Sequence, residues 1–171
     1  MASTPFQRVH IDSIPHKPTG VGDKNHAIHI TDEASKYRWY IAIKSKLEAF
    51  KAVTRWILFM EIQTRLTIRE IHVDNGTEFS IEKLKQWCLD NGKKLTTIAP
   101  DCPSQNPIVE RDGRTIMDGA RTANLEAGFG EEFWPLVEEA YIHVLNRLPH
   151  RGVAPIDALR TMINLPPDRN G

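Results

Sequence analysis

The sequence has no excess of charge of either sign. It contains 22 basic and 22 acidic side chains among 171 residues, so its formal net charge at pH 7 is zero. A zero net charge provides no overall attraction to the phosphate backbone of nucleic acids. DNA binding by this chain would therefore depend on a local basic patch or on flanking segments.

Cysteine is scarce, and long apolar runs are missing. The two cysteines, Cys88 and Cys102, are too far apart for a Cys-x-x-Cys metal motif and make a poor disulfide framework, which favours a reducing cytosolic or nuclear compartment. No stretch approaches the roughly 20 apolar residues of a membrane span. The segment "MASTPFQR" has no signal-peptide pattern. We therefore expect one domain over residues 1–171, without a membrane partner.

Hydrophobic periodicity predicts an α/β fold. Alternating segments predict three strands in "FQRVHIDSI", "HAIHIT" and "YRWYIAI", with a Pro/Gly-rich loop between the first two. In the first strand, His10 and Asp12 lie on the face opposite the apolar residues. A helix is predicted from Lys46 to about Leu66. Its apolar stripe comprises Leu47, Phe50, Val53, Ile57 and Met60.

The second half of the chain alternates strand and helix. A strand ends at Asp74, a helix follows from Ser80 to Asn91-Gly92, and "KLTTIAP" predicts a fifth strand. Pro107 follows Asn106 as at a first helical position, which predicts a helix to about Ala127. Another helix begins near Glu131, with an apolar stripe of Trp134, Val137, Tyr141, Val144 and Leu148. This order predicts a mixed sheet with helices on both faces.

Three acidic residues occupy positions that such a fold could bring together. Asp12 lies within the first strand, Asp74 ends the fourth, and Glu110 lies in the first turn of the long helix, with 35 residues between the last two. Each also has a simpler interpretation. Asp12 suits an outward strand position, Asp74 a turn, and Glu110 the positive end of a helix dipole.

The order Asp, Asp, 35 residues, Glu resembles the catalytic core of the retroviral integrase superfamily. The surrounding segments resemble its copia-type branch in long-terminal-repeat retrotransposons. They are "VHIDSI", "ITDEASKYRWYIAIKSK", "HVDNGTEF", "PSQNPIVER", "EEFWPLVEEAYIHVLNRLP" and "APIDAL". The resemblance runs from about Val9 to about Leu159. It implies an RNase H-like fold, a five-stranded mixed sheet flanked by helices. We expect an isolated core, without the family's amino-terminal zinc module and carboxyl-terminal DNA-binding region.

The resemblance also implies a reaction. The family joins 3′-hydroxyl DNA ends to target DNA, which makes element-end DNA and target DNA the expected partners, with a homodimer or higher oligomer as the assembly. Asp12, Asp74 and Glu110 would hold two Mg²⁺ or Mn²⁺ ions, with Asp12 bridging both, because these cations prefer oxygen ligands. The expected localisation is the nucleus, after a cytoplasmic virus-like particle.

Candidate DNA contacts surround these acids. Arg111, Arg114 and Arg121 fall on or beside the Glu110 face of the long helix. Charge runs usually face water, so a solvated surface stripe is the alternative to phosphate contact. The same alternatives hold for Lys44 and Lys46, which follow the third strand. The polar pair before the long helix, Gln105 and Asn106, either contacts DNA or only caps that helix.

One departure from the family pattern favours a different function. Pro107 stands where the family usually has glycine after the Gln-Asn pair, and proline should stiffen this joint. Together with the zero net charge, Pro107 supports an alternative in which a domesticated or defective integrase domain binds DNA or protein without catalysis. A stand-alone RNase H-like nuclease is a third hypothesis, which shares the metal chemistry but not the copia-type segments.

Overall fold

The computed structural model of the chain describes residues 2–73, 81–97, 107–149, 152–166 and 168; of residues 107–114 it describes the helical backbone. Five strands form one sheet in the order β3-β2-β1-β4-β5. The strands are β1 (Arg8–Gly20), β2 (Lys24–Asp32), β3 (Arg38–Ile43), β4 (Glu70–Val73) and β5 (Lys94–Thr97). The first three pair antiparallel, whereas β4 pairs parallel with both β1 and β5. The predicted five-stranded mixed sheet of an RNase H-like fold is confirmed.

Helices cover both faces of this sheet, as the sequence predicted. They are α1 (Ala49–Thr64), α2 (Ile81–Asp90), α3 (Pro107–Ala127), α4 (Trp134–Leu145) and α5 (Pro155–Met162), with 3-10 turns at Lys46–Glu48 and Glu131–Phe133. No helix among the described residues is long and apolar enough to cross a membrane.

The first face of the sheet carries the hydrophobic core. Alternate residues of β1, β2 and β4 point to this face and pack against α1, α2 and α5, because side chains alternate between faces along a strand. The core side chains include Val9, Ile11, Ile28, Ile30, Ile71, Val73, Val53, Ile57, Leu84 and Leu159. This packing leaves the polar residues of the same strands on the opposite face.

Four details of the fold differ from the prediction. β1 continues through the segment predicted as a loop and reaches Gly20, with a register shift after Pro15. Leu47 is not part of a core stripe but is 87% exposed, because it lies in the 3-10 turn before α1. Val144 and Leu148 are exposed rather than buried. The short helix α5 was not predicted at all.

Candidate active site

Asp12 lies on the polar face of the central strand. It is half-buried and pairs in register with His29 of β2. Because side chains alternate, Asp12 shares its face with His10 and is opposite to Ile11, as predicted. His16, which was predicted to lie in a loop, is on the same face. The sheet therefore fixes the backbone of the first candidate acid between two paired strands.

The backbone places the approach to Asp74 beside the strand of Asp12. In the parallel pair of β1 and β4, Ile11 is opposite Val73, and these residues directly precede Asp12 and Asp74. α3 begins at Pro107, so Glu110 belongs to its first turn. Asp74 itself, and the side chain of Glu110, lie outside the described residues. The described side chains alone contain no group of three or more His, Cys, Asp or Glu that could hold a metal ion.

Several predicted DNA contacts also lie outside the described part. Gln105 and Asn106 do so entirely, as do the side chains of Arg111 and Arg114. The remaining three residues are exposed. Arg121 lies on α3 and lines a cavity.

The two exposed lysines lie beyond the end of β3. Lys44 follows β3 and forms an ion pair with Asp23, whose Oδ2 is 3.0 Å from Lys44 Nζ. Because Ile43 and Pro15 both pair with His26, this end of β3 is level with β1 just past Asp12. Lys46 begins the following 3-10 turn. These lysines therefore lie near the same end of the sheet as Asp12, but two strands away from Asp12.

A network of polar side chains, which we call the polar ring, lies next to Asp12 on the same face. The Arg8 guanidinium forms ion pairs with the Glu33 carboxylate at 3.2 Å and with the Glu70 carboxylate at 3.1 Å. Glu33 also lies 3.0 Å from His10 Nε2. The ring closes through the neighbouring strands. The imidazoles of His10 and His72 meet edge to face, with ring centroids 5.0 Å apart. His72 Nδ1 lies 2.9 Å from the Thr96 hydroxyl, which donates a hydrogen bond to Glu70 Oε1 at 3.1 Å.

The polar ring ties together the strands that lead into Asp12 and Asp74. His10 and His72 pair in register across β1 and β4, each two residues before a candidate acid. Since residues two apart on a strand share a face, His10 of this pair lies on the same face as Asp12. The ring links β1, β4, β5 and the turn after β2, and we expect it to restrict their relative movement.

Burial and the charges within the polar ring shift the pKa values of Glu33 and His10. Burial would raise the pKa of the Glu33 carboxyl, but the Ala2 amide, the His10 imidazole and the Arg8 guanidinium together lower it to about 2. Burial lowers the pKa of His10 below its usual 6.5, against the opposing effect of Glu33. The folded chain therefore binds fewer protons at these two groups than the unfolded chain does in acid.

We expect Glu33→Gln to flatten the acid dependence of stability. The lowered pKa of Glu33 contributes stability that is fully present above about pH 4.5, the pKa of an unperturbed glutamate. This stability is lost as the pH falls from 4.5 towards about 2. The lowered pKa of His10 also makes the folded state less stable as the pH falls through 6.5. Urea unfolding at a series of pH values should show a shallower slope below pH 4.5 for the variant. Glu82→Gln, at an exposed position of α2, serves as the control. Parallel curves for Glu33→Gln and the unchanged chain would contradict this account.

A second polar cluster, which we call the Glu138 cluster, joins α4 to the sheet. Glu138 is 3% exposed. Its Oε1 lies 3.2 Å from His16 Nε2, and its Oε2 lies 3.4 Å from His29 Nε2. Burial and the negative charge of Glu138 raise the pKa of Tyr40 well above its usual range. Burial also lowers the pKa of His16. Glu138 thus places a carboxyl group at a buried position beside two imidazoles.

Close packing around this cluster depends on two glycines. A Cβ on Gly20 would lie 2.4 Å from Pro135, and one on Gly119 would lie 2.1 Å from the Tyr141 hydroxyl. Both positions require the absence of a side chain. Trp134 stacks on His16 with ring centroids 3.9 Å apart and donates to the Pro18 carbonyl at 3.0 Å. The end of β1 is therefore held directly against the start of α4.

Neither polar cluster was predicted from the sequence. The Glu138 cluster pairs residues 109 positions apart in the chain, which no local pattern reveals. Strand alternation does place His10 beside Asp12, and this was the available signal for the polar ring.

The fold defines the chain as an α/β protein of the RNase H-like class. No family model matches the chain. The Retrovirus-related Pol polyprotein from transposon TNT 1-94 of Nicotiana tabacum is 24% identical over 135 residues, which cover 79% of this chain. The Ty1-NL2 and Ty1-LR3 Gag-Pol polyproteins of Saccharomyces cerevisiae are each 25% identical over 133 residues, or 76% of this chain.

These relatives are much longer than the chain, which spans 10% of the tobacco polyprotein and 8% of the two yeast polyproteins. The chain is a homologue of retrotransposon Pol and Gag-Pol polyproteins. This relationship agrees with the resemblance to copia-type integrases that its motifs indicated. These similarities support a retrotransposon origin for the chain.

Proposed function

We propose that the chain is the catalytic core of a retrotransposon integrase, a polynucleotidyl transferase that joins 3′-hydroxyl DNA ends to target DNA. The observation that carries this proposal is the pairing of Ile11 with Val73, which brings together the strand of Asp12 and the strand that leads into Asp74. The start of α3 three residues before Glu110 supports it, as does the homology to Pol polyproteins.

The donor set fits hard divalent cations. Asp12, Asp74 and Glu110 supply only oxygen atoms, which Mg²⁺ and Mn²⁺ prefer. Asp12 belongs to the central strand of a five-stranded sheet, so the sheet restricts the position of its backbone. Two bound ions would activate the attacking oxygen and stabilise the leaving one. The polar ring would hold β1 and β4 in register while the substrate binds.

The proposed DNA contacts are local rather than global, since the net charge is zero. Arg121 is exposed on α3, and Lys44 and Lys46 are exposed at the Asp12 side of the sheet. Arg111, Arg114, Gln105 and Asn106 belong to the same proposal through their sequence positions around Glu110. Cations within about 10 Å of the phosphates would attract DNA despite the neutral total, and this attraction would weaken with salt.

A non-catalytic binding module is the second candidate. The observation that favours it is the pairing of Lys44 with Asp23, which neutralises one of the few described cations near the site. Pro107 at the start of α3 adds to it, because proline removes the flexibility of the family's usual glycine.

A joining assay separates the hypotheses. The chain, expressed with its flanking Pol segments, would be incubated with a labelled duplex that matches an element end, plasmid DNA and Mn²⁺. An integrase core yields plasmid joined covalently to the label. A nuclease yields only shortened label, and a binding module yields a shifted complex without new products. The first outcome supports the proposal, and either of the others contradicts it.

We also propose that the chain forms a homodimer through exposed apolar parts of α1 and α4. Phe59 is 58% exposed, Ile62 73%, Leu136 54% and Val144 48%. Leu136 and Val144 also line an apolar cavity of about 450 Å³ between α3 and α4. These side chains do not serve the core of their own protomer, and exposed apolar patches often mark interfaces.

Leu136→Asp should therefore convert a dimer into a monomer. A buried aspartate at the interface would be desolvated without a partner, which weakens association by about tenfold or more. Sedimentation equilibrium at micromolar concentration measures the change. Leu89→Asp is the matched control, since Leu89 is 65% exposed on α2. A strictly monomeric unmodified chain, or a dimer that tolerates Leu136→Asp, would refute this interface.

A further inference from the structure

A second cavity opens between β1, α3 and α4. Its volume is about 410 Å³, within the range of small-molecule pockets. Its lining includes His16, Lys17, Arg121, Asn124, Trp134 and Glu138. We call this cavity the β1–α3–α4 pocket.

The buried polar groups of the pocket include two hydrogen-bond acceptors, the Glu138 carboxylate and the Asn124 amide oxygen, and the imidazole of His16. Glu138 is 3% exposed and Asn124 is 8% exposed. Asn124 Nδ2 donates to the Gly130 carbonyl at 3.2 Å, while Asn124 Oδ1 has no hydrogen-bond partner among the described residues. A carboxylate offers about four acceptor positions, and two imidazoles lie next to that of Glu138. Buried acceptors are normally satisfied, so this end of the pocket suits a ligand with N–H donors.

The rest of the pocket has a different chemistry. Its walls include Met117, Leu125 and Val137, which offer apolar surface to a flat ring. Lys17 and Arg121 are exposed and supply positive charge, with Glu131 as one opposing carboxylate. The pocket therefore combines buried acceptors, apolar walls and exposed cations, which are the groups that a base and its phosphate require.

We propose that the β1–α3–α4 pocket binds one unpaired nucleotide of a DNA strand. The base would occupy the apolar part with its N–H donors toward Asn124 and Glu138, and the phosphate would lie at Lys17 and Arg121. Guanine fits best because its N1–H and amino N–H groups are adjacent, whereas thymine offers a single N–H between two carbonyls. This inference rests on the proposed role of the chain in handling DNA.

The pocket lies close enough to Asp12 for one strand to reach both. His16 follows Asp12 by four residues along β1, which is about 13 Å in an extended strand. The two residues share the polar face of the sheet, since His16 and His29 both contact Glu138. A nucleotide held in the pocket would thus fix the path of DNA that passes the candidate active site.

Calorimetric titration with mononucleotides in the presence of EDTA tests the proposal without any catalysis. dGMP should bind at least about tenfold more tightly than dTMP, because thymine presents one N–H donor between two carbonyl oxygens where guanine presents two adjacent N–H donors. Asn124→Leu, which keeps the approximate side-chain volume, should remove most of this preference. Asp90→Asn, at an exposed position of α2, should bind dGMP like the unmodified chain, since the pocket does not contain Asp90. Equal affinities for dGMP and dTMP would overturn the proposal.

Arg121→Ala gives a test that does not depend on the buried residues. This exposed substitution should weaken dGMP binding by about tenfold and leave deoxyguanosine, which has no phosphate, unchanged. An equal loss for both ligands would place the phosphate elsewhere and contradict the assignment. If joining activity is present while dGMP does not bind, the pocket assignment alone fails. If dGMP binds with this specificity and joining is absent, the proposed transferase function fails instead.

Discussion

Asp12→Asn should reduce DNA joining by at least about a thousandfold while leaving the fold intact. A metal site stabilises charge in the transition state by several kcal/mol, and each 1.36 kcal/mol corresponds to about a factor of ten in rate. The substituted asparagine side chain would keep the shape of the aspartate but not its charge. Mn²⁺ affinity, measured by calorimetry, should fall together with the rate.

The stability of this variant distinguishes a functional from a structural aspartate. Converging carboxylates repel one another without metal, so removing one charge should leave the free energy of unfolding unchanged or slightly higher. Asp90→Asn, at an exposed position of α2, controls for the loss of an aspartate elsewhere. A large loss of stability in Asp12→Asn, with Mn²⁺ binding retained, would show that Asp12 serves the fold rather than the reaction.

Glu138→Ala should destabilise the fold by about 3 kcal/mol. Removing one partner from a buried polar network leaves the others unsatisfied, which costs about 1–3 kcal/mol for each group. Here the imidazoles of His16 and His29 would lose a carboxylate that lies 3.2 and 3.4 Å away. Urea unfolding monitored by circular dichroism measures the change.

The neighbouring residue provides a matched control for this prediction. Glu139 follows Glu138 on α4 but is exposed. Glu139→Ala should change the free energy of unfolding by less than about 0.5 kcal/mol, as surface substitutions usually do. Equal effects of the two substitutions would contradict the buried role of Glu138.

The elements that the sequence predicted well have strong local signals. β2 and β3 alternate regularly, and α3 begins at Pro107 and ends at Ala127 as predicted. Gly92 has the positive φ of +63° that the predicted end of α2 requires. The positions of Asp12 in a central strand and of Glu110 in the first helical turn follow from the same signals.

The elements that the prediction missed depend on distant contacts. β1 continues past Pro15 because β2 and the start of α4 pack along it, although proline usually interrupts a strand. α5 has only eight residues, too few for a clear helical period. Glu138 lies four residues after Trp134 and therefore on the same helical face, but an acidic side chain predicts exposure. Its partners on β1 and β2 explain the burial.

The dependence of joining on a free 3′-hydroxyl is the most direct test of the transferase function. Two labelled duplexes that match an element end would be compared with the Pol-flanked protein and Mn²⁺, one ending in a 3′-hydroxyl and the other in a 3′-deoxy sugar. We expect plasmid joined to the first duplex and none joined to the second, because the hydroxyl is the attacking group. Cleavage of both duplexes alike, with no joined plasmid, would contradict it.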